Sequence, residues 1–422
     1  MNSIESKQKK SFFHGMKVYI SRWYLVCRQR NQGVCAFLKG RYDSMLKENI
    51  SLTQLAAVVF NFHIGSTIVI GLGLKAKEDA WIALLIALGL GIIITMFFIF
   101  MIALAPGKNL FEMFEYCFNR PIAKGLSIVY AVYFFYYGCR IIRDFGELIA
   151  STVLPLTPIE VSTIILVLVM GYILYMGLEV LARTAEIFTP YAFVFIMLLF
   201  IFLYAGGNLD FSNIRPVLAG GFKPIWSAIF PYEIVRPYGQ LLVLTYIVSS
   251  VSNAKYSKRI IIYSVLISSL LLLLSSLMII LSLGHDIGLR SNFPLLSAAR
   301  LVSIGNFLQR IDAIVVFCMM LGTLVKSCIY IYGGLKALEY VFNQTFRYFA
   351  IPMVCIVGVF TTLIARNYTD HLNEGLQSNP FLLHIPLQFG LPVMMVFIML
   401  IKHRNKTSSK KKMTSKYTEQ GS

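Results

Sequence analysis

Long apolar runs dominate this chain, and short polar connections separate them. A helix needs about 20 predominantly apolar residues to cross a bilayer. About ten runs reach that length, at residues 52–74, 80–104, 123–150, 158–177, 185–205, 225–251, 260–284, 311–334, 349–366 and 381–401. The pattern predicts an all-α integral membrane protein with about ten transmembrane helices. An even number of spans places both termini on one side of the membrane.

Two of these runs, the first and the sixth, contain residues that interrupt helices. The first carries Gly65-Ser66, and the sixth carries Pro237-Tyr238-Gly239. Proline cannot donate the helical hydrogen bond, and broken backbone at membrane depth persists only against protein or a wet cavity. The first and sixth runs hold corresponding positions when ten spans divide as five plus five. This placement predicts an inverted repeat with broken helices 1 and 6.

The two breaks predict a binding site for a small anionic or zwitterionic solute. A half-helix that restarts at a break presents its N–H groups and the positive end of its dipole. A pair of harmless kinks is the alternative, since Gly and Pro are common in membrane helices. The candidate ligand-binding residues are Gly65, Ser66, Thr67, Tyr136, Pro237, Tyr238, Gly239 and Gln240.

Charged residues inside the runs form a second group of candidates. Each costs about 2.5–3.5 kcal/mol at a helix centre on insertion scales, so each needs a partner or a function. In the third run, Arg140 with Asp144 and Arg143 with Glu147 are spaced as i,i+4 pairs that can neutralise each other. Contact with a ligand is the alternative. The candidate intramembrane charges are Lys326, Glu233, Arg236, Arg140 and Asp144.

Lys326 lies near the centre of the eighth run, and the sequence does not decide which group is its partner. Glu233, backbone carbonyls at a helix break, or water would each serve. An ammonium at a carbonyl-rich break would stand where a sodium ion stands in some transporters; a purely structural buried cation is the alternative. Glu233 in turn has Arg236, at i+3, or Lys326 as its expected partner.

The net charge of +18 is concentrated at the two ends of the chain. Basic flanks are typical of cytoplasmic anchoring against anionic lipid and do not indicate nucleic acid binding. We therefore predict a basic N-terminal cytoplasmic extension (1–49), a membrane domain (50–402) and a basic cytoplasmic tail (403–422). The first 44 residues either lie on the membrane surface or precede the natural start at Met45; both interpretations remain open.

The sequence contains no pattern typical of an enzyme or a metal site. None of its seven cysteines forms a C-x-x-C pair, so neither a disulfide framework nor a zinc site is indicated. H-E-x-x-H, nucleophile-elbow, Walker and paired-carboxylate motifs are absent from the sequence. We expect no catalytic residues, no cofactor and no metal.

Several short motifs, taken in order, resemble the endospore germination permease family, the B subunits of Ger-type nutrient germinant receptors. The resemblance covers about residues 50–402. The motifs are Ile50-Ser51-Leu52-Thr53-Gln54-Leu55, Gly65-Ser66, Gly71-Leu72-Gly73, Asp79-Ala80-Trp81, Arg183-x-x-Glu186-Ile187-Phe188-x-Pro190, Ile214-Arg215-Pro216-Val217-Leu218, Pro237-Tyr238-Gly239 and Arg310-Ile311-Asp312-Ala313.

This resemblance implies the LeuT/APC-like fold of the amino acid–polyamine–organocation superfamily. It also implies a multi-pass subunit in the spore inner membrane that binds a small nutrient, typically an amino acid, and acts with A-type and C-type receptor subunits. Two residues depart from the family pattern: Gln240 replaces a usual Glu, and Arg236 replaces a small or apolar residue. A proton- or sodium-coupled amino acid transporter is the alternative function.

Overall fold

The computed structural model describes residues 48–302, 311–365, 367–375 and 379–404. The predicted N-terminal extension lies outside the described residues except for its last two positions. The predicted tail lies outside them from residue 405 onward. From Asn49, the described chain belongs to one compact unit.

Within the described ranges, nine helices are long and apolar enough to cross a membrane. The predicted run 225–251 supplies a tenth span, which the fold divides into short pieces between the fifth and seventh spans. In chain order, the nine are Leu52–Ile70, Leu74–Leu104, Arg120–Val153, Ile159–Met176, Leu178–Ala205, Lys255–Arg290, Asp312–Phe342, Phe346–Leu363 and Pro380–Arg404. We number the spans from first to tenth, counting the divided one as the sixth.

The two interrupted spans have the following pieces. The first contains the helices Leu52–Ile64 and Thr67–Ile70. The sixth contains the helix Phe222–Ala228, the irregular segment Ile229–Tyr238, a tight turn at Gly239–Val243 and the helix Leu244–Ile247, followed by a last turn at Val248–Ser250.

The start of the first span is tied to the end of the sixth. Ser51 and Gln54 form a reciprocal cap, with hydrogen bonds of 3.0 and 3.1 Å between each side chain and the other residue's backbone N–H. The backbone N–H of Ile50 donates to the carbonyl of Ser250 at 3.0 Å, and Ser252 donates back to Ile50 at 3.2 Å. The two spans therefore leave this side of the bundle together, and residues 71–79 and Phe222 lie at the opposite side.

The eighth span is the central helix of the bundle. Every residue from Leu321 to Leu335 is buried, which is typical of a helix surrounded by other helices. It packs most extensively against the third span. Glycine allows this close approach: a Cβ at Gly334 would lie 2.7 Å from the ring of Phe135. Lys326 lies within this buried stretch.

Two connecting elements lie outside the spans. The helix Leu110–Cys117 buries Phe111 and Phe114, and the side chains of Asn109 and Glu112 form a reciprocal cap at its start. The connection after the seventh span contains a short helix, Pro294–Ala299, while residues 303–310 lie outside the described ranges.

Candidate solute site at the two helix breaks

The first break lies at Gly65, where the sequence predicts it. Gly65 has φ 37° and ψ −135°, a left-handed backbone that favours glycine. The eighth span packs directly onto this backbone, because a Cβ at Gly322 would lie 2.7 Å from the Gly65 carbonyl oxygen. The break is therefore covered by protein rather than by lipid, as its polar backbone groups require.

Lys326 extends from the eighth span into the first break. Its side chain is 1% exposed, and its Nζ donates to Thr67 Oγ1 at 3.0 Å. The ring of Phe62 lies 5.6 Å from the same Nζ. The ammonium thus lies at a helix break, but its hydrogen-bond partner is a hydroxyl rather than Glu233. It joins the eighth span to the second half of the first span.

The sixth span departs from helical backbone at two residues, Phe230 (φ −107°, ψ 129°) and Arg236 (φ −132°, ψ 114°). The break predicted at Pro237-Tyr238-Gly239 is present, since Arg236 directly precedes it, but the departure at Phe230 was not predicted. Each of the two residues precedes a proline, and a proline ring pushes the preceding residue out of the α region. The same local rule accounts for both breaks.

A narrow cavity of about 20 Å³, here called the inner chamber, lies between the two breaks. It has room for about one water molecule. Six polar side chains from four parts of the chain line it: Ser66, Tyr137, Arg140, Asp144, Lys326 and His371, together with Arg236 from the second break.

A larger cavity of about 180 Å³, the outer chamber, adjoins it toward the side that carries residues 71–79. Arg236 lines both chambers. The polar side chains of the outer chamber are Lys75, Tyr232, Glu233, Arg236, Ser291, Asn292 and His384. Small, partly polar concavities between helices are where membrane transport folds bind solutes.

The predicted ligand-binding residues divide between the chambers and the surrounding packing. Ser66 lines the inner chamber, and Thr67 is engaged by Lys326. Tyr238 turns away from both chambers: its hydroxyl donates to Ser269 Oγ at 3.1 Å, and its ring packs against Gly91.

The remaining predicted residues of the sixth break are also packed. Pro237 and Gly239 are buried, and Gly239 faces Gln388 and Phe389 of the tenth span. The Gln240 amide donates to the Tyr137 hydroxyl, and Tyr137 in turn lines the inner chamber. Gln240 therefore does not line the inner chamber itself, but it holds a tyrosine that does.

With this geometry in place, the chain can be compared with known proteins. It matches a family model described as spore germination protein across residues 49–370. The chain belongs to the spore germination protein family. It is 28% identical to Spore germination protein KB of Bacillus subtilis (strain 168), covering 87% of this chain and 98% of that protein. It is 24% identical to Spore germination protein B2 of the same organism, with 74% and 85% covered.

Solved transporters share the fold of this germination protein. Mhp1, a nucleobase-cation-symport-1 family transporter, aligns with a TM-score of 0.56 at 13% identity, covering 76% of this chain and 73% of Mhp1. A manganese transporter of Eremococcus coleocola aligns with a TM-score of 0.51 at 14% identity, with 82% and 75% covered. The predicted LeuT/APC-like fold with broken helices 1 and 6 is thereby confirmed. Family and fold are those of permeases and transporters rather than of enzymes.

The charged groups of the third span find partners that the sequence analysis missed in part. Arg143 and Glu147 form the predicted i,i+4 pair, at 2.6 Å. The predicted Arg140–Asp144 pair was wrong. Arg140 pairs with Glu374 at 3.1 Å and donates to the His371 carbonyl.

Asp144 instead lies 2.8 Å from His371 Nε2, and Tyr136 joins the cluster through its hydroxyl, 2.9 Å from Glu374. These partners come from the polar connection between the ninth and tenth spans, which lies against the inner chamber. His371 and Glu374 are three residues apart, a spacing that places both on one helical face. That spacing was the available signal for this part of the germination protein.

Proposed function

We propose that this chain is the membrane subunit of a nutrient germinant receptor and binds a small solute, an amino acid, in the outer chamber between the broken helices. Its family membership and its germination relatives support the receptor role. The fold supports the location of the site, because transporters of this architecture bind solutes where the broken helices meet.

The observation that carries the proposal is the placement of Arg236. This guanidinium lines both chambers at a helix break. Among the described residues, this guanidinium donates a long hydrogen bond of 3.4 Å to the Gly375 carbonyl. Arg has five N–H donors in a planar fork that fits a carboxylate. Most of that capacity remains for the carboxylate of a solute in the outer chamber, because the inner chamber has room for only about one water molecule.

We place the protein in the spore inner membrane with both termini cytoplasmic, acting with A-type and C-type subunits. The basic ends and the family resemblance support this arrangement. A solute changes a conformational equilibrium only by its difference in affinity between two states. A solute in the outer chamber contacts the first and sixth spans, and Arg236 connects it to the inner chamber, which the third and eighth spans line. A shift among these four spans is what the partner subunits would detect.

Thermal unfolding of the purified protein in lipid nanodiscs tests the proposal. We expect at least one of the twenty L-amino acids to raise the unfolding temperature. Ser66→Trp should abolish that increase, because the indole is far larger than the inner chamber and must occupy the space around Arg236. Ser212→Trp, at an exposed position, is the matched control and should leave the increase intact. If no amino acid stabilises the wild-type protein, the proposed solute class is wrong.

A coupled amino acid transporter is the second candidate, favoured by the shared fold of the solved transporters. Reconstituted liposomes separate the two functions. A receptor binds the stabilising amino acid without concentrating it. Accumulation of the radiolabelled amino acid under a sodium or proton gradient would favour the transporter.

A further inference from the structure

Glu233 is a buried carboxylate on the wall of the outer chamber. It is 5% exposed and lies in the irregular segment of the sixth span. One oxygen, Oε1, accepts a hydrogen bond from the Gly73 backbone N–H at 2.8 Å. The other oxygen, Oε2, has no hydrogen-bond partner among the described residues. A buried polar oxygen without a partner is costly, so an open position of this kind indicates a ligand.

The cations near Glu233, and the lysine that the sequence predicts as its partner, make other contacts. The Lys75 ammonium lies 3.4 Å from the centre of the Tyr232 ring. The guanidinium of Arg236 donates to the Gly375 carbonyl, and Lys326 donates to Thr67. Within the described ranges, no salt bridge joins any of these cations to Glu233. The ion pairs that the sequence predicts for Glu233, with Arg236 or Lys326, are therefore not formed. The free oxygen remains available to a cation that enters the chamber.

We propose that Glu233 is a cation subsite that takes the ammonium group of the solute. This inference rests on the proposed function, since it gives the solute an orientation. Arg236 lines the same chamber, three residues further along the chain. A zwitterion therefore meets a carboxylate and a guanidinium in one cavity, with its ammonium at Glu233 and its carboxylate at Arg236. A free potassium or sodium ion shares the chemistry of a small monovalent cation, and the test below distinguishes the two sources.

His384 adds a donor to the same wall. It is 1% exposed, and its Nδ1 lies 2.9 Å from the Tyr133 hydroxyl. Gln388 Nε2 donates to that hydroxyl at 2.9 Å, which directs the hydroxyl hydrogen toward Nδ1. This network assigns the ring proton to Nε2, which has no partner in the described chain. An N–H here suits an oxygen of the solute and complements the cation subsite.

The substitution Glu233→Gln isolates the charge. A glutamine keeps a side-chain oxygen that can accept from Gly73, so the structural hydrogen bond is retained while the negative charge is lost. We expect the apparent affinity for the stabilising amino acid to fall about 30-fold or more, as when one member of a buried charge pair is removed. Glu160→Gln, at an exposed position, makes the same chemical change away from the chambers and should leave the affinity unchanged.

Ligand analogues test the subsite even if the variant fails to fold. The wild-type protein is titrated in nanodiscs with the stabilising amino acid, with the acid that lacks its amino group, and with the amine that lacks its carboxylate. We expect the acid without the amino group to bind at least about 30-fold more weakly than the amino acid. Equal affinity for the two compounds, or an unchanged affinity in Glu233→Gln, would overturn the cation subsite and leave the proposed function standing.

The source of the cation is tested with salts. Titrations in potassium chloride, sodium chloride and N-methylglucamine chloride are compared without any organic solute. Stabilisation by potassium or sodium that Glu233→Gln removes would assign the same subsite to a free ion. If neither an amino acid nor an inorganic cation stabilises the wild-type protein, the proposed function and the subsite both fail.

Discussion

The first span breaks once, at Gly65, whereas the sixth departs from helical backbone twice, at Phe230 and Arg236. Backbone and a buried lysine stem surround the first break, because Gly322 and Lys326 of the eighth span lie directly against it. Side-chain ends surround the second, where Gly239 meets Gln388 and Phe389, and the outer chamber lies beside it. The first break is therefore a fixed joint, and the sixth is bounded by groups that can move.

This difference suggests a division of labour within the bundle. A closely packed joint transmits the position of one span to its neighbour, since packed interiors are not continuously deformable. A break lined by side chains and cavity can adapt to a solute. In the proposed receptor, the sixth span would respond to the solute, and the contact between the first and eighth spans would carry that response to the rest of the bundle.

We expect the largest loss of stability from Gly322→Ala, which adds a methyl group where the eighth span packs against the first break. The added Cβ would lie 2.7 Å from the Gly65 carbonyl oxygen and 2.9 Å from its Cα. Backbone atoms cannot rotate away, so overpacking costs about 3 kcal/mol. The higher helix propensity of alanine stabilises the variant by at most about 1 kcal/mol. The apparent free energy of unfolding in detergent, from chemical denaturation, should fall by about 2–3 kcal/mol.

Gly89→Ala is the matched control for Gly322→Ala. Gly89 lies in a transmembrane helix, and a Cβ there meets no atom within 4 Å. Its substitution should leave stability unchanged or slightly higher. If Gly322→Ala were as stable as this control, the first break would not be a fixed joint, and the comparison between the two breaks would fail.

A smaller effect is expected from Thr67→Val, which keeps the shape of the side chain and removes its hydroxyl. Lys326 then loses the hydrogen bond of 3.0 Å recorded for its ammonium. Hydrogen bonds to charged groups contribute about 1.5–3 kcal/mol, and we expect a loss near the lower value because the ammonium can turn toward the inner chamber. Chemical denaturation measures the loss.

A double-mutant cycle sharpens this second expectation. Lys326→Met keeps much of the stem and removes the ammonium, so adding Thr67→Val to it should cost much less than adding it to the wild type. Thr184→Val is the control, since that hydroxyl bonds to a carbonyl of its own helix. Additive effects of Thr67→Val and Lys326→Met would show that the two side chains do not cooperate.

The sequence could predict the positions of the two breaks because the interactions that cause them act between neighbouring residues. Glycine and proline act on the adjoining backbone, so the interruption at Gly65 was visible from local residue type. The second departure in the sixth span, at Phe230, follows the same rule through Pro231 and was available to sequence reasoning, although it was missed.

Sequence reasoning could not decide which buried charges pair between different spans, although the spacing of His371 and Glu374 places both on one helical face. Lys326 meets Thr67 across 259 positions, and Arg140 meets Glu374 across 234. Hydropathy identifies a buried charge that needs a partner, but packing between distant spans decides which partner it finds. The i,i+4 pair of Arg143 and Glu147 was predictable because one helix contains both residues.

The smallest effect should come from Gly239→Ala at the sixth break. A Cβ there would lie 2.9 Å from the edge of the Phe389 ring and close to the amide end of Gln388. Both are ends of side chains that can shift, so the overpacking cost is about 1 kcal/mol, at the low end of its range. Replacing glycine stabilises by about 0.4–1 kcal/mol through the unfolded chain. The net change in unfolding free energy should be under about 1 kcal/mol, well below that of Gly322→Ala. If the two alanine variants lost equal stability, the sixth break would be as rigid as the first, and adaptation to a solute would have to occur elsewhere in the bundle.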